Sequence, residues 1–275
     1  LGCAGLMAAC TITEGDTGGF GGSSRSSSGS GPISVEGYGS ETLTPDGVEI
    51  DVEVPEGAQS FAVVVEDTGG TGDLMIADLV TTPSDQIVFD FDNDVSINRT
   101  DATTGIYTLL VPTNPAVSPE EGDWLVRLRS GSGDVDVDIT VVTKNEPAAD
   151  NQLDLNLYFV GLEGLDAATA ESDEGFQAIL TQISAIYANA GMSIRAISYQ
   201  DIGGGDADTY GVIDSDAELA GLYQLAGSGS EQALNMYFVN DIAIGGGGLS
   251  ILGLAGGVPG PPILQGTSRS GVCVS

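Results

Sequence analysis

Ser172-Asp173-Glu174-Gly175-Phe176-Gln177-Ala178-Ile179-Leu180-Thr181-Gln182-Ile183-Ser184-Ala185-Ile186-Tyr187-Ala188-Asn189-Ala190-Gly191 carries the strongest periodicity in the chain. Phe176, Ile179, Leu180, Ile183, Ile186 and Tyr187 recur three or four residues apart, so a helix places them on one apolar stripe. Ser172 supplies an N-cap hydroxyl, Asp173 and Glu174 put negative charge against the positive helix start, and Gly191 offers a left-handed stop. The spacing predicts a helix from about 173 to 190. Before it, Leu153–Val160 reads as a buried strand; after it, Ser193–Asp201 reads as another. A second helix is expected from Ser215, which has capping-box spacing to Glu218, as far as Gly227, and Leu234–Val239 forms a third strand. Strand, helix, strand, helix, strand predicts an α/β layer with a mostly parallel sheet over 151–275.

Upstream the period shortens to two. Val48, Ile50, Val52 and Val54 alternate with Glu49, Asp51 and Glu53, and Val135, Val137 and Ile139 alternate with aspartates, so each strand has one apolar and one carboxylate face. Phe61–Val65 is apolar on both faces and belongs inside a sheet, while Trp124–Arg129 alternates again. Residues 33–145 therefore read as a β-sandwich, and the chain as an α+β protein of two domains joined by a hinge at Glu146–Asp150.

The chain has 275 residues, 7 cationic side chains against 40 carboxylates, and a net charge of −33. That charge repels phosphate backbones, so no nucleic-acid partner is expected. Histidine is absent, which removes the usual zinc ligand and the usual general base near neutral pH. The first ten residues, Leu1–Cys10, are apolar, too short to span a bilayer, and turn polar at Thr11. Ala8-Ala9-Cys10 resembles a bacterial lipobox, with Cys10 preferred over Cys3 as the lipid-modified residue and the leading part of the signal lying before Leu1. Residues 11–32, rich in glycine and serine, read as a flexible tether behind that anchor. The expected location is the bacterial cell envelope, with the membrane reached through the lipid alone.

Two families are suggested by these patterns. Gly122-Asp123-Trp124, Val126-Arg127-Leu128 and the aspartate-rich strand after them resemble the jelly-roll modules of pre-peptidase C-terminal type. The strands and helix of 153–202, then Asn235-Met236-Tyr237-Phe238-Val239-Asn240-Asp241-Ile242 and a glycine-rich loop to Ser270-Gly271-Val272-Cys273-Val274, look like the upper subdomain of metzincin-type zinc metallopeptidases, in particular exported myxobacterial-style lipoproteins. That resemblance implies a truncated metzincin-like domain whose H-E-x-x-H-x-x-G-x-x-H helix follows Ser275, so zinc belongs to the full-length parent and no catalytic residue can be carried over. It also implies an edge strand that pairs with an extended peptide or protein substrate, expected at Gly271, Val272, Cys273 and Val274. Cys273 itself pairs with a cysteine beyond these residues or is a buried free thiol.

Two further patterns compete for chemistry. Asp16-Thr17-Gly18 and Asp67-Thr68-Gly69 repeat the aspartic-peptidase triplet, but Asp16 falls in the tether and Asp67 in a good turn sequence. Asp90, Asp92 and Asp94 alternate and are a candidate calcium loop, although the EF-hand glycine and distal glutamate are missing. The expectation from sequence is the N-terminal part of an exported, lipid-anchored zinc endopeptidase, inactive over these residues. The alternative is a non-enzymatic cell-surface binding or adhesion lipoprotein that could bind calcium.

Overall fold

A computed structural model of the chain describes residues 26–28, 32–93, 103–112, 117–146, 151–226, 233–244, 251–257, 260–261 and 264–275. Cys3, Cys10, Asp16, Asp94, Gly227 and the hinge positions 147–150 lie outside the described residues.

The N-terminal unit contains β1 (Ser26–Ser28), β2 (Ile33–Leu43), β3 (Val48–Val54), β4 (Ser60–Asp67) and β5 (Leu74–Thr81). It continues through β6 (Ile87–Asp90), β7 (Thr103–Thr104), β8 (Ile106–Val111), β9 (Gly122–Ser130) and β10 (Val135–Lys144). One sheet runs β1-β2-β10-β4-β8 and the other β3-β9-β5-β6, with β7 paired to β5 and every ladder antiparallel. Setting β1 and β7 aside, four strands face four in the order of a jelly roll.

The alternation explains the layering. Ile50, Val52 and Val54 of β3, Val126 and Leu128 of β9, and Val137 and Ile139 of β10 enter one shared core, while Glu49, Asp51 and Glu53 stay exposed. Trp124 is fully buried, edge-on to Phe61 at 5.3 Å, and its indole N–H donates to the Glu120 carbonyl at 2.9 Å. Ser26–Ser28, assigned to the tether from composition, instead pairs with Val35–Gly37 along the edge of β2. Pairing uses backbone groups that serine carries like any residue, and an unpaired strand edge offers them partners.

The C-terminal unit contains β11 (Gln152–Val160), α1 (Ala167–Ala170), α2 (Glu174–Asn189), β12 (Ser193–Ile202), α3 (Gly205–Tyr210) and β13 (Val212–Ile213). Then come α4 (Asp216–Gln224), β14 (Ala233–Phe238), β15 (Asp241–Ile242), β16 (Gly253–Ala255) and β17 (Val272–Val274). Its main sheet runs β12-β11-β14-β17-β16; the first three ladders are parallel and the last is antiparallel. One face packs Leu155, Leu157 and Phe159 with Phe176 and Leu180 of α2; the other packs Tyr158, Tyr237 and Cys273 with Leu222 and Tyr223 of α4.

The N-cap of α2 is Asp173, not Ser172: its carboxylate accepts the Phe176 N–H at 2.7 Å, while the Ser172 hydroxyl donates to the Thr169 carbonyl. α1 ends just before this point, so Ser172 is already committed to the preceding turn. At the other end Gly191, at φ +74°, lets its own N–H reach the Ala188 carbonyl and the Met192 N–H reach that of Tyr187. This is the Schellman closure, and it needs the left-handed residue. In α4 the Ser215 hydroxyl accepts from the Glu218 N–H, as the capping spacing requires.

Candidate functional site

β16 stands at the edge of the main sheet. The Gly256 N–H donates to the Gly271 carbonyl at 2.9 Å and the Ser275 N–H to the Leu252 carbonyl at 3.3 Å, so residues 252, 254 and 256 turn their backbone groups toward β17. By the alternation of an antiparallel ladder, Gly253 and Ala255 turn theirs away from it. Both are exposed, and Leu252 is 73% exposed. Natural sheets usually guard such edges with charge, proline, a bulge or a cover, yet Leu252-Gly253-Leu254-Ala255 carries no charge and no proline.

This corrects the sequence expectation. Gly271, Val272, Cys273 and Val274 do not form the edge: β17 is paired on one side with β14 and on the other with β16. Its backbone groups are spent in the two ladders, which leaves none for a peptide. Strand order did not follow chain order: the edge on this side falls to the three-residue β16, and the other edge is β12.

Buried aromatic side chains hold β16 in place. The Tyr223 hydroxyl, carried on α4, donates to the Leu254 carbonyl at 2.8 Å, and the Tyr237 hydroxyl donates to the Tyr223 carbonyl at 3.3 Å. Tyr237 stacks on Tyr158 at 4.7 Å. Burial pushes the phenol pKa of both Tyr223 and Tyr237 well above the ordinary tyrosine value, so both act as donors at any physiological pH. Two glycines permit the close approach: a Cβ on Gly256 would lie 2.2 Å from the Arg269 carbonyl oxygen, and one on Gly271 would lie 2.7 Å from the Tyr237 ring.

Beside Ala255 opens a groove of about 370 Å³ at the N-terminal ends of β11, β14 and β17. Leu153, Leu234, Pro261, Leu264 and Val272 give it apolar walls, and Asn235, Gln265 and Arg269 supply polar groups. Asn235 is buried and satisfied on several sides. Its side chain donates to the Ser270 carbonyl at 2.9 Å and to Gln265, and accepts from Asn156 at 3.0 Å, which in turn accepts from the Ser198 hydroxyl at 2.8 Å. This row ties three strands and the 264–271 loop into one fixed wall.

α2 leaves part of its stripe uncovered. Phe176 packs on Phe159 and Phe238 at 5.4 and 5.2 Å, but Ile179 and Ile186, expected in the core, are 50% and 67% exposed. Gln177 marks the flank toward β12, where its side chain reaches the Tyr199 hydroxyl. On a helical projection the two isoleucines lie on the opposite flank, toward β14 and β17.

The remaining candidate positions serve local structure. Asp90 caps a turn, accepting from the N–H groups of Asp92 and Asn93 and from the Asn93 side chain at 2.6 Å; that side-chain bond leads the effects that hold its pKa below the usual value. Asp92 lies 3.5 Å from Arg129, and no third donor gathers beside the pair among the described residues. Asp67 organises the Asp-Thr-Gly-Gly turn. Burial raises its pKa, but bonds from Gly72, Thr71, Gly70 and Gly69 outweigh this and hold it low. Cys273 is a buried free thiol, pushed up to about 12 by burial.

The zinc implied by the sequence resemblance does not fit the residues present. Zinc takes imidazole, thiolate and carboxylate donors. The chain has no histidine, its described cysteine is a buried thiol held protonated, and no three such donors converge among the described residues.

No family model matches the chain, and no curated protein matches it. Among solved structures it is similar to the CBM22-1 xylan-binding domain of Paenibacillus barcinonensis Xyn10C, at 13% identity and TM-score 0.25, over 45% of this chain and 87% of that one. A DUF4785 family protein from Legionella pneumophila gives 13% identity and 0.23, over 48% and 39%. A family two carbohydrate esterase from Cellvibrio japonicus gives 14% and 0.21, over 79% and 67%. Scores this low assign neither fold nor ligand. In the sandwich Tyr38, Phe61, Phe89, Tyr107 and Trp124 are buried, and Phe91 sits under the Arg129 guanidinium at 5.6 Å.

Proposed function

We propose that the C-terminal unit holds an extended peptide against β16, as the substrate-binding part of an exported, lipid-anchored zinc endopeptidase of metzincin type. The zinc ligands and general base would come from polypeptide outside these 275 residues. The observation that carries this reading is the exposed outward edge of Gly253 and Ala255, which pairs with no strand among the described residues. An added strand there gains main-chain hydrogen bonds whatever its sequence, which suits an enzyme that must hold many peptides. The uncovered flank of α2 supports it, since Ile179 and Ile186 leave room for another apolar element beneath β14 and β17.

The absence of histidine favours a second reading, a surface protein that binds peptides on the same edge and cuts nothing. Expression of the chain together with the coding sequence that follows codon 275 separates the two. The peptidase reading expects hydrolysis of unfolded protein by the longer product, abolished by a chelator and restored by zinc, and none by the 275 residues alone. Hydrolysis by the short chain, or no zinc-restored hydrolysis by the longer one, would overturn it.

A further inference from the structure

At the far edge of the same sheet, β12 pairs on one side with β11 and on the other with no strand among the described residues. The Val239 N–H donates to the Val274 carbonyl at 2.9 Å, which turns Val274 toward β14 and its ladder partner Phe238 toward β11. Carried across the parallel ladders, that alternation turns Phe159 toward β12, and Ser198, Gln200 and Ile202 back toward β11. The backbone groups of Ile197, Tyr199 and Asp201 therefore point outward. Arg195 is paired with the buried Asp154, and the same carboxylate takes the Ala196 N–H at the bulge, so the open run begins at Ile197. In a chain with 40 carboxylates, Arg195 and Asp201 are the charged residues of this ten-residue strand. A long edge so lightly charged is a template for another strand.

We infer that β12 of a second copy of this chain adds to that edge, antiparallel, about a two-fold axis at Ser198, joining the two sheets into one. The strand's own sequence selects this register. Ile197 faces Tyr199 of the second copy and Tyr199 faces its Ile197, each pair exchanging both main-chain hydrogen bonds. Both side chains lie on the face packed with α2, so each crossing is a β-branched–aromatic pair, a combination that stabilises ladders. The same register sets Asp201 level with Arg195 of the second copy, opposite signs at matching heights. An axis at Tyr199 or Gln200 would instead set Asp201 against Ile197 or Tyr199, and one at Asp201 would set two carboxylates together. The contact is isologous, so on this edge it closes at two chains. Each copy carries a charge of −33, so repulsion opposes the pair, and salt that screens it strengthens the dimer. None of this depends on whether β16 holds a peptide.

Sedimentation velocity of the full 275-residue chain, from about 1 to about 300 µM, should show a monomer–dimer equilibrium whose association constant rises about tenfold between about 0.05 and 0.5 M salt. The placement is read from single thiols introduced by Ser198→Cys or Gln200→Cys in a chain that also carries Cys3→Ser and Cys10→Ser. With the axis at Ser198, the two positions 198 lie about 4.5 Å apart at Cα, within disulfide reach. The two positions 200 are offset by about 13 Å along the strands. Mild oxidation should therefore link the 198 variant at least about tenfold faster than the 200 variant. Because the Ser198 hydroxyl donates to Asn156, folding of both variants is checked by their melting curves, and the wild-type sedimentation stands as evidence on its own. A chain that stays monomeric over this range, or a dimer that salt dissociates, overturns the inference. So does a dimer in which the 200 variant links as fast as the 198 variant, since the contact then lies elsewhere.

Discussion

Gly271→Ala is the sharpest test of how the edge strand is supported. The new methyl would sit 2.7 Å from Tyr237 Cε2 and 2.9 and 3.1 Å from Tyr223 Cδ1 and Cε1, against about 3.5–4.0 Å for ordinary carbon contacts. Neither ring can retreat freely: both are fully buried, and each spends its hydroxyl on a carbonyl, that of Leu254 or of Tyr223. Overpacking of this kind costs about 1–3 kcal/mol, and loss of one tyrosine hydrogen bond adds about 1 kcal/mol. The expected fall in Tm is roughly 5–15 °C for a unit of this size. Near-ultraviolet circular dichroism of the stacked tyrosines follows the C-terminal unit, whereas fluorescence of the single tryptophan, Trp124, reports the sandwich and should not change. Gly203→Ala is the control, because nothing lies within 4 Å of its Cβ position and its φ is not positive; its Tm should stay within about 2 °C. An unchanged melting curve for Gly271→Ala would refute the packing of β17 against Tyr223 and Tyr237.

Three other predictions concern the rest of the molecule. Asp78 is 6% exposed and bridges Arg127 and Arg129 across β5 and β9, so Asp78→Ala removes the buried carboxylate that both guanidinium groups share and should cost about 1–3 kcal/mol in chemical denaturation followed by Trp124. Asp67 and Asp73 have pKa values held below the ordinary 3.8, Asp73 by the N–H groups of Gly133, Ser132 and Leu74. Groups depressed in the folded state stabilise it above the unfolded pKa. Amide protection factors in the 67–74 and 131–133 loops, taken relative to the intrinsic exchange rate at each pH, should therefore be constant down to about pH 4 and fall as pH drops through the lower folded values. Cys273, buried and pushed up to about 12, should resist thiol reagents in native buffer and react only as the C-terminal unit unfolds.

The sequence made the regular elements readable where side chains repeat over many residues. The carboxylate and valine alternation of β3 and the six-member stripe of α2 each determine one periodicity, and the structure follows both. What could not be read is which backbone edges remain unpaired. β16 is three residues inside a glycine-rich stretch, too short for any periodicity, and its place outside β17 depends on the order in which distant strands associate. For the same reason the serines of β1 looked like tether, since they have no apolar side chains to announce a strand. The α2 stripe overstates burial because periodicity shows what a helix could bury, not what is present to cover it, and Ile179 and Ile186 remain exposed. Asp90 and Asp67 illustrate the converse: aspartates that look like ligand or catalytic groups are consumed by the N–H groups of their own turns.

Amide hydrogen exchange at Gly253, Leu254 and Ala255, measured with and without a saturating extended peptide, addresses the outward edge directly. The account predicts that the Gly253 and Ala255 amides slow by about tenfold or more on binding, while Leu254, already turned toward β17, changes little. A bound peptide that leaves both outer amides exchanging at their original rates would contradict it.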